Sequence, residues 1–194
     1  MIAIVDYKAG NIRSVLNALE RLDVHAKVTS NPEELKAAEK VIFPGVGHAK
    51  PAMDELKKLG LIDVLLNLHQ PFLGICLGMQ LMCGHSEEGD TDCLGIFPES
   101  VKRFTQAERV PHMGWNSLQN HQGPLFEGIP EGSDVYFVHS YYVEDGHDTS
   151  AVTSYGERFA AALQKGNYYG VQFHPEKSGP IGQKILENFL KLPS

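Results

Sequence analysis

The spacing of apolar positions changes twice along the chain. In the first half, short continuous apolar runs at Ile2–Val5, Val41–Phe43 and Phe72–Ile75 read as buried strands, and His25–Thr29 reads as a further one. Between these runs the spacing is helical. Asn11–Leu22 places Ile12, Val15, Leu16, Leu19 and Leu22 along one face. Asn31-Pro32-Glu33-Glu34 has the form of a helix start, with Asn as cap, Pro at the first position and Glu three residues after the cap. Helices are also predicted around Pro51–Leu59 and over Leu77–Met82. Strand–helix alternation of this kind predicts a parallel, doubly wound sheet.

The second half differs. Short β-like runs at Val101–Phe104, Val135–Val143, Ala151–Tyr155, Phe159–Gln164 and Tyr168–Phe173 are separated by Gly, Pro and Asn. They predict antiparallel pairs added to the sheet. The closing stretch, Ile181–Leu192, sets Ile181, Ile185, Leu186, Phe189 and Leu190 on one helical face. No linker, repeat or low-complexity block intervenes. Residues 1–194 are therefore expected to form one α/β domain, a parallel central sheet with an antiparallel extension.

Composition narrows the function classes. With 194 residues and 42% hydrophobic content the chain can bury one sizeable core. Its net charge of −7 argues against a nucleic-acid or anionic-membrane partner, since both attract basic surfaces. The longest stretch without Asp, Glu, Lys or Arg, Val64–Ser86, is broken by His69, Gln70, Pro71, Gly74, Gly78, Gln80, Gly84 and His85, which does not suit a membrane helix. No basic segment precedes the apolar start, so no secretory signal is expected. Cys76, Cys83 and Cys93 are odd in number and form no C-x-x-C pair. Neither a disulfide framework nor a zinc site is indicated, and a reduced, cytosolic setting is expected. Cys83 reads as a buried helix residue, Cys93 as a loop residue, His139 as structural, and the acidic run 87–92 as a solvated loop.

The chemistry concentrates in three segments. In Phe72-Leu73-Gly74-Ile75-Cys76-Leu77-Gly78-Met79-Gln80 an apolar strand runs through Gly-x-Cys-x-Gly into a helix. This is a nucleophile-elbow pattern with Cys in place of Ser. The turn is so sharp that side chains two residues either side of Cys76 would clash. A helix amino terminus also favours a thiolate. The alternative is a buried cysteine in a glycine-containing turn. A thiolate nucleophile needs a base and an orienting group. Gly170-Val171-Gln172-Phe173-His174-Pro175-Glu176 supplies both: Pro175 biases His174 toward an extended conformation, and residues two apart in an extended chain face the same way, bringing Glu176 to the imidazole. An exposed His-Pro turn with a solvated Glu is the competing reading. Finally, Phe43-Pro44-Gly45-Val46-Gly47 leaves the strand preceding the elbow strand, where an oxyanion loop belongs. The N–H groups of Leu77 and Val46 are its candidate donors. A Pro-Gly turn without a ligand fits the same residues.

Taken together, Pro44-Gly45-Val46-Gly47, Gly74-Ile75-Cys76-Leu77-Gly78-Met79-Gln80 and His174-Pro175-Glu176-Lys177-Ser178 resemble the class I (triad) glutamine amidotransferases. The resemblance is narrower to the family of glutaminase subunits of imidazole glycerol phosphate synthase. Asp6-Tyr7-Lys8-Ala9-Gly10-Asn11, Pro111-His112-Met113-Gly114-Trp115-Asn116, Tyr136-Phe137-Val138-His139-Ser140-Tyr141 and the closing helix fit it too. It covers essentially the whole chain and implies a flavodoxin-like fold. By this resemblance Cys76 attacks the side-chain amide of glutamine, His174 is acid and base, and Glu176 holds His174. Gln80 would touch the amino-acid end of the substrate, with Gly45, Gly47 and the backbone of Ser140 and Tyr141. Ammonia would pass to a (β/α)₈-barrel cyclase that makes imidazole glycerol phosphate and an aminoimidazole carboxamide ribotide in histidine biosynthesis. Asn11, Lys177 and Trp115, the last read as a loop residue, would face that partner. No metal or organic cofactor is implied.

Three rivals remain at this level. The glutaminase subunit of pyridoxal phosphate synthase carries Gly-Gly-Glu-Ser where this chain has Pro44-Gly45-Val46-Gly47. A cysteine peptidase or other amidase would not need Gln80 or a partner face. A non-catalytic scaffold subunit would not need an intact Cys76, His174 and Glu176. The resemblance also implies a subunit nearly idle alone, with the Gly45–Val46 peptide as switch and the Val46 N–H turned away from the oxyanion position until the partner docks.

Overall fold

The computed structural model describes residues 1–194. Its first half runs β1 (Ile2–Val5), α1 (Ile12–Glu20), β2 (Ala26–Thr29), α2 (Pro32–Ala37), β3 (Lys40–Phe43), α3 (Ala49–Lys58), α4 (Ile62–Leu66), β4 (Phe72–Ile75) and α5 (Leu77–Leu81). There follow β5 (His85–Ser86), β6 (Thr91–Asp92), β7 (Ser100–Arg103), β8 (His112–Ser117), β9 (Asp134–His139), β10 (Tyr141–Val143), β11 (Thr149–Tyr155), β12 (Glu157–Lys165), β13 (Tyr168–Val171) and α6 (Gly179–Lys191).

One 11-stranded sheet has the order β2-β1-β3-β4-β13-β12-β10-β7-β5-β6, with β11 beside β12. The strands from β2 to β13 are parallel. Antiparallel pairing begins at β12 and continues through β10 to β7. The parallel strands are fully apolar because both faces are covered. Ala3, Val5, Val41, Phe43 and Phe72 enter one core with α3 and α5. Ile2, Ile4, Ile42, Leu73 and Ile75 alternate into the other, under α1 and α6. The Asn31 side chain caps α2, accepting from the N–H groups of Glu33 and Glu34 at 2.9 and 3.4 Å.

The structure departs from the sequence pattern in several places. The run Val135–Val143 is broken at Ser140, so β9 leaves the main sheet and pairs with β8 as a separate ribbon. Trp115 therefore lies in a strand and not in a loop. The inward positions of that strand are His112 and Asn116, while Met113 and Trp115 point out at 63% and 57% exposure. Cys83 is fully buried but sits just beyond the end of α5. The acidic run is not simply solvated: Glu88 accepts from the Ala49 N–H at 3.0 Å at the start of α3, and Thr91–Asp92 pairs with His85–Ser86.

The fold delivers its loops to one edge. β1, β3, β4 and β13 all end on the same side, where open parallel sheets place ligands. The packing there leaves no room at residue 78, because a Cβ on Gly78 would lie inside the Phe43 carbonyl oxygen. Gly78→Ala is expected to destabilise the chain by roughly 3 kcal/mol, the upper range for overpacking. Gly166→Ala, where a Cβ meets nothing within 4 Å, should cost only the strain of its positive φ. Urea midpoints of the two variants check this; an unaffected Gly78→Ala midpoint would contradict the packing argument.

Candidate active site

Cys76 occupies the turn between β4 and α5 with φ 54° and ψ −111°. A positive φ in a residue other than glycine is strained, and strain of this kind collects at functional sites. The flanking glycines make the turn possible. A Cβ at Gly74 would stand 2.8 Å from the Met79 nitrogen. Gly78, as above, lies against Phe43. The Cys76 N–H donates to the Val171 carbonyl at 2.8 Å, so β13 holds the elbow from the side.

The same pairing brings in the candidate base. β13 is in register with β4, Val171 opposite Ile75, which leaves Gln172, Phe173 and His174 alongside Cys76. His174 is fully buried, and its Nδ1 lies 2.7 Å from Glu176 Oε1. The path differs from the sequence expectation. His174 is extended, but Pro175–Lys177 forms one 3₁₀ turn, and the Lys177 N–H donates to the His174 carbonyl at 3.0 Å. Glu176 therefore folds back over His174 through a turn, because the φ fixed by Pro175 suits a turn as well as a strand.

The other ring nitrogen, Nε2, is buried with no other hydrogen-bond partner and faces the Cys76 thiol. Burial alone would drive the imidazole toward neutrality. The charge of Cys76 and hydrogen bonds to Cys76 and Glu176 outweigh it and hold the His174 pKa up at about 10. The imidazole of His174, between Cys76 and Glu176, therefore favours its protonated form at neutral pH.

Two residues missed in the sequence complete this line. Gln172, fully buried, donates from Nε2 to Cys76 Sγ at 3.6 Å and accepts from Gln80 Nε2 at 2.9 Å. It stands just past the end of β13, where the chain bends at residues 172 and 173 before reaching His174. Tyr7, buried at the end of β1, donates to the Pro44 carbonyl at 2.6 Å and fixes the start of the Pro44–Gly47 segment. Burial and the neighbouring Cys76 charge push its phenol pKa up. No local signal reveals that contact.

A cavity of about 260 Å³ opens over Cys76. Val46, Gly47, Leu77, Gln80, Ser140 and Tyr141 all line it, but Gly45 does not. Instead the Gly45 carbonyl accepts from the Leu77 N–H at 3.3 Å. The C=O and N–H of a trans peptide point in opposite directions, so the Val46 N–H is turned away from Leu77. The two candidate oxyanion donors do not converge: one is taken by backbone and the other faces elsewhere.

Asn11, Trp115 and Lys177 gather on the outer side of the 174–179 turn. Asn11, half-buried with φ 74°, donates from Nδ2 to Glu176 Oε1 at 2.5 Å. It provides no side-chain cap to α1; its amide goes to the carboxylate that holds His174. Lys177 is exposed, and the exposed Trp115 packs edge-on to Tyr136 at 5.8 Å. No group of three or more His, Cys, Asp and Glu side chains is arranged to hold a metal ion.

With this geometry in view, similarity to known proteins is informative. The sequence profile of the family described as Glutamine amidotransferase class-I matches residues 3–192. A Bacteroides fragilis protein, "Imidazole glycerol phosphate synthase subunit HisH", is 56% identical over 194 residues, covering 98% of this chain and 99% of its own. A Legionella pneumophila protein, "Imidazole glycerol phosphate synthase subunit HisH 2", is 48% identical over 198 residues, covering 100% of this chain and 99% of its own. Among solved structures, a glutamine amidotransferase aligns with a TM-score of 0.76 at 20% identity over 98% of both chains. PurLQS from Thermotoga maritima aligns with a TM-score of 0.74 at 18% identity over 97% of this chain and 96% of its own. These two structures share the fold, a mostly parallel α/β sheet with an antiparallel part.

The charge arrangement yields a measurable consequence. Removing the sulfur takes away the largest influence raising the His174 pKa and leaves burial opposed by Glu176. In Cys76→Ala the imidazole is therefore expected to titrate below the wild-type value of about 10, in an NMR titration of the His174 ring. An unchanged or higher pKa would show that the Cys76 sulfur does not face Nε2.

Proposed function

The chain belongs to the class-I glutamine amidotransferases, and we propose that residues 1–194 act as the glutaminase domain of an imidazole glycerol phosphate synthase. The observation that carries this reading is the buried line Cys76–His174–Glu176, set at the carboxyl ends of β4 and β13 beneath a small cavity. Relatives named as subunits of that synthase cover nearly the whole chain. Cys76 Sγ attacks the side-chain amide carbon of glutamine, and the carbonyl oxygen becomes an oxyanion. His174 gives its Nε2 proton to the amide nitrogen, and ammonia leaves as the thioester forms. Water then attacks the thioester carbon and passes a proton to His174. The C–S bond breaks, and glutamate departs. Glu176 keeps Nδ1 of His174 occupied, which presents Nε2 to the sulfur and stabilises the imidazolium.

Substrate recognition falls to the cavity wall. Gln80, one turn past Cys76, and the backbone of Gly47, Ser140 and Tyr141 meet the amino-acid end of glutamine, while Gly45 acts through the peptide that follows it. The ammonia goes to a (β/α)₈-barrel cyclase, which forms imidazole glycerol phosphate and aminoimidazole carboxamide ribotide in histidine biosynthesis. Asn11, Trp115 and Lys177 form part of the cyclase-facing surface. No helix is long and apolar enough to cross a membrane. We assign the chain to the cytoplasm, where its three free cysteines would stay reduced. No cofactor enters the proposed reaction.

The blocked oxyanion site fits a subunit that waits for its partner. Turning the Gly45–Val46 peptide over would free the Leu77 N–H and aim the Val46 N–H beside it. Either of these two donors alone would be worth ~10²–10³ in kcat, which sets a lower bound. The isolated chain is expected to release glutamate slowly, with the cyclase and its nucleotide ligand raising kcat by at least that factor and moving the glutamine KM less. Equal turnover by the free chain and the complex would overturn the switch. In the complex, His174→Ala should lose ~10²–10⁴ in kcat and Glu176→Ala less. Near-normal turnover by His174→Ala would overturn the triad assignment.

A further inference from the structure

His112 and His139 are buried titratable groups that the reaction above does not use. They stand directly opposite each other in the β8–β9 ribbon. Aromatic rings enclose them. His112 stacks on Tyr155 at 4.0 Å and on Phe137 at 4.8 Å, and His139 packs against Phe104 and Phe159, each at 5.2 Å. Burial pulls the pKa of His112 down to about 4 and that of His139 to about 3, so both rings are neutral at physiological pH.

Neutral rings in these positions have only one consistent proton arrangement. His139 Nδ1 lies 2.7 Å from the Tyr141 carbonyl oxygen, which only accepts, so Nδ1 carries the proton. His139 Nε2 is then bare. His112 Nδ1 lies 3.0 Å from it and must donate. His112 Nε2 is bare in turn, with Asn116 Nδ2 3.4 Å away. All the bonds point one way, from Asn116 through His112 and His139 to the Tyr141 carbonyl. That carbonyl also accepts from Gln80 Nε2 at 2.9 Å, which occupies both of its lone pairs.

We propose that His112 and His139 are positioning residues for glutamine binding, a one-directional hydrogen-bond chain that fixes the Ser140–Tyr141 backbone as the cavity wall and ties it to the ribbon carrying Met113 and Trp115. The weak point of that wall is Ser140: Tyr141 begins β10 and pairs with Arg103 of β7, whereas Ser140 is the break between β9 and β10, and its carbonyl accepts a 3.3 Å bond from the Phe104 N–H. Loss of the His112 donor leaves His139 Nε2 unpaired. The imidazole then keeps only its Nδ1–H bond to the Tyr141 carbonyl, and the link from the ribbon to the cavity wall is cut.

The kinetic arm of the test rests on the glutaminase reading; the spectroscopic arm does not. In ¹H–¹⁵N spectra of the imidazole rings of the full chain at neutral pH, both histidines are expected as neutral Nδ1–H tautomers. A charged ring or an Nε2–H tautomer at either would overturn the proposal. In the complex with the cyclase, His112→Leu is expected to raise the glutamine KM about tenfold, the effect of one lost buried hydrogen bond. Its kcat should stay within about threefold, as for an interaction made equally in ground and transition states. His112→Asn, whose amide can donate from the place of Nδ1, should restore most of the KM. Alkylation of Cys76 by iodoacetamide, which needs no glutamine site, should be unchanged in both variants. An unchanged KM, a failure of Asn to rescue, or parallel loss of alkylation would overturn the positioning role. Absence of glutamine turnover in the wild-type complex would refute the glutaminase reading instead, leaving the tautomers to decide this proposal.

Discussion

The strained backbone at Cys76 is the constraint on which the rest of the site depends. A residue with a side chain sits at φ 54° because β4 enters the turn paired on both edges, with β3 and β13, and α5 leaves it packed on Phe43. Neither neighbour can relax without opening the central sheet. The close packing of Gly78 on Phe43 also fixes where the next segment, Pro44–Gly47, must pass, so the elbow and the oxyanion loop are set by one contact. Tyr7 secures that segment from the other side through Pro44. The geometry of catalysis is therefore a consequence of how four parallel strands end, and the loops inherit it.

Burying ionisable groups in such a place is costly unless they compensate one another. Cys76, His174 and Glu176 are 6%, 0% and 8% exposed. Burial opposes charge on the imidazole, and its two neighbours, Cys76 and Glu176, favour the protonated ring. Asn11 supplies a neutral donor to the outer carboxylate, and Gln172 one to the sulfur. The line is held at both ends by amides, which orient charge without adding any. Glu176 Oε2 is buried without a partner.

What could be read from the sequence was whatever local periodicity dictates. The parallel strands appeared as unbroken apolar runs because both faces are covered, and Gly-x-Cys-x-Gly announced a turn that excludes side chains. Gln172 lies where the chain bends beyond β13, so strand periodicity does not reach it. The ribbon β8–β9 was not readable as such. Its outward positions, Met113 and Trp115, are large and apolar where an exposed strand face is usually polar, and Gly114 between them suggests a loop. The path from His174 to Glu176 was misjudged because Pro175 is compatible with both a strand and a 3₁₀ turn, and only the packing of α6 distinguishes them. Contacts such as Tyr7 to Pro44 and Asn11 to Glu176 join residues far apart in the chain, and no spacing rule reaches them.

The pieces invisible to periodicity are also those that link the outer surface to the chemistry. Asn11 touches Glu176 directly, and the histidine chain runs from the ribbon that exposes Trp115 to the wall that holds Tyr141. Each link is a directional hydrogen bond, and the His112–His139 bond is buried, where a donor has few alternatives and a small displacement moves the next group along. The proposed oxyanion switch calls for a coordinated change of this kind, since the Gly45 carbonyl accepts from the Leu77 N–H in this structure. Binding energy from a partner can drive that exchange only if it favours the turned peptide over the present one. A surface connected by stiff, buried polar contacts to both Glu176 and the substrate wall provides the differential grip such a partner requires.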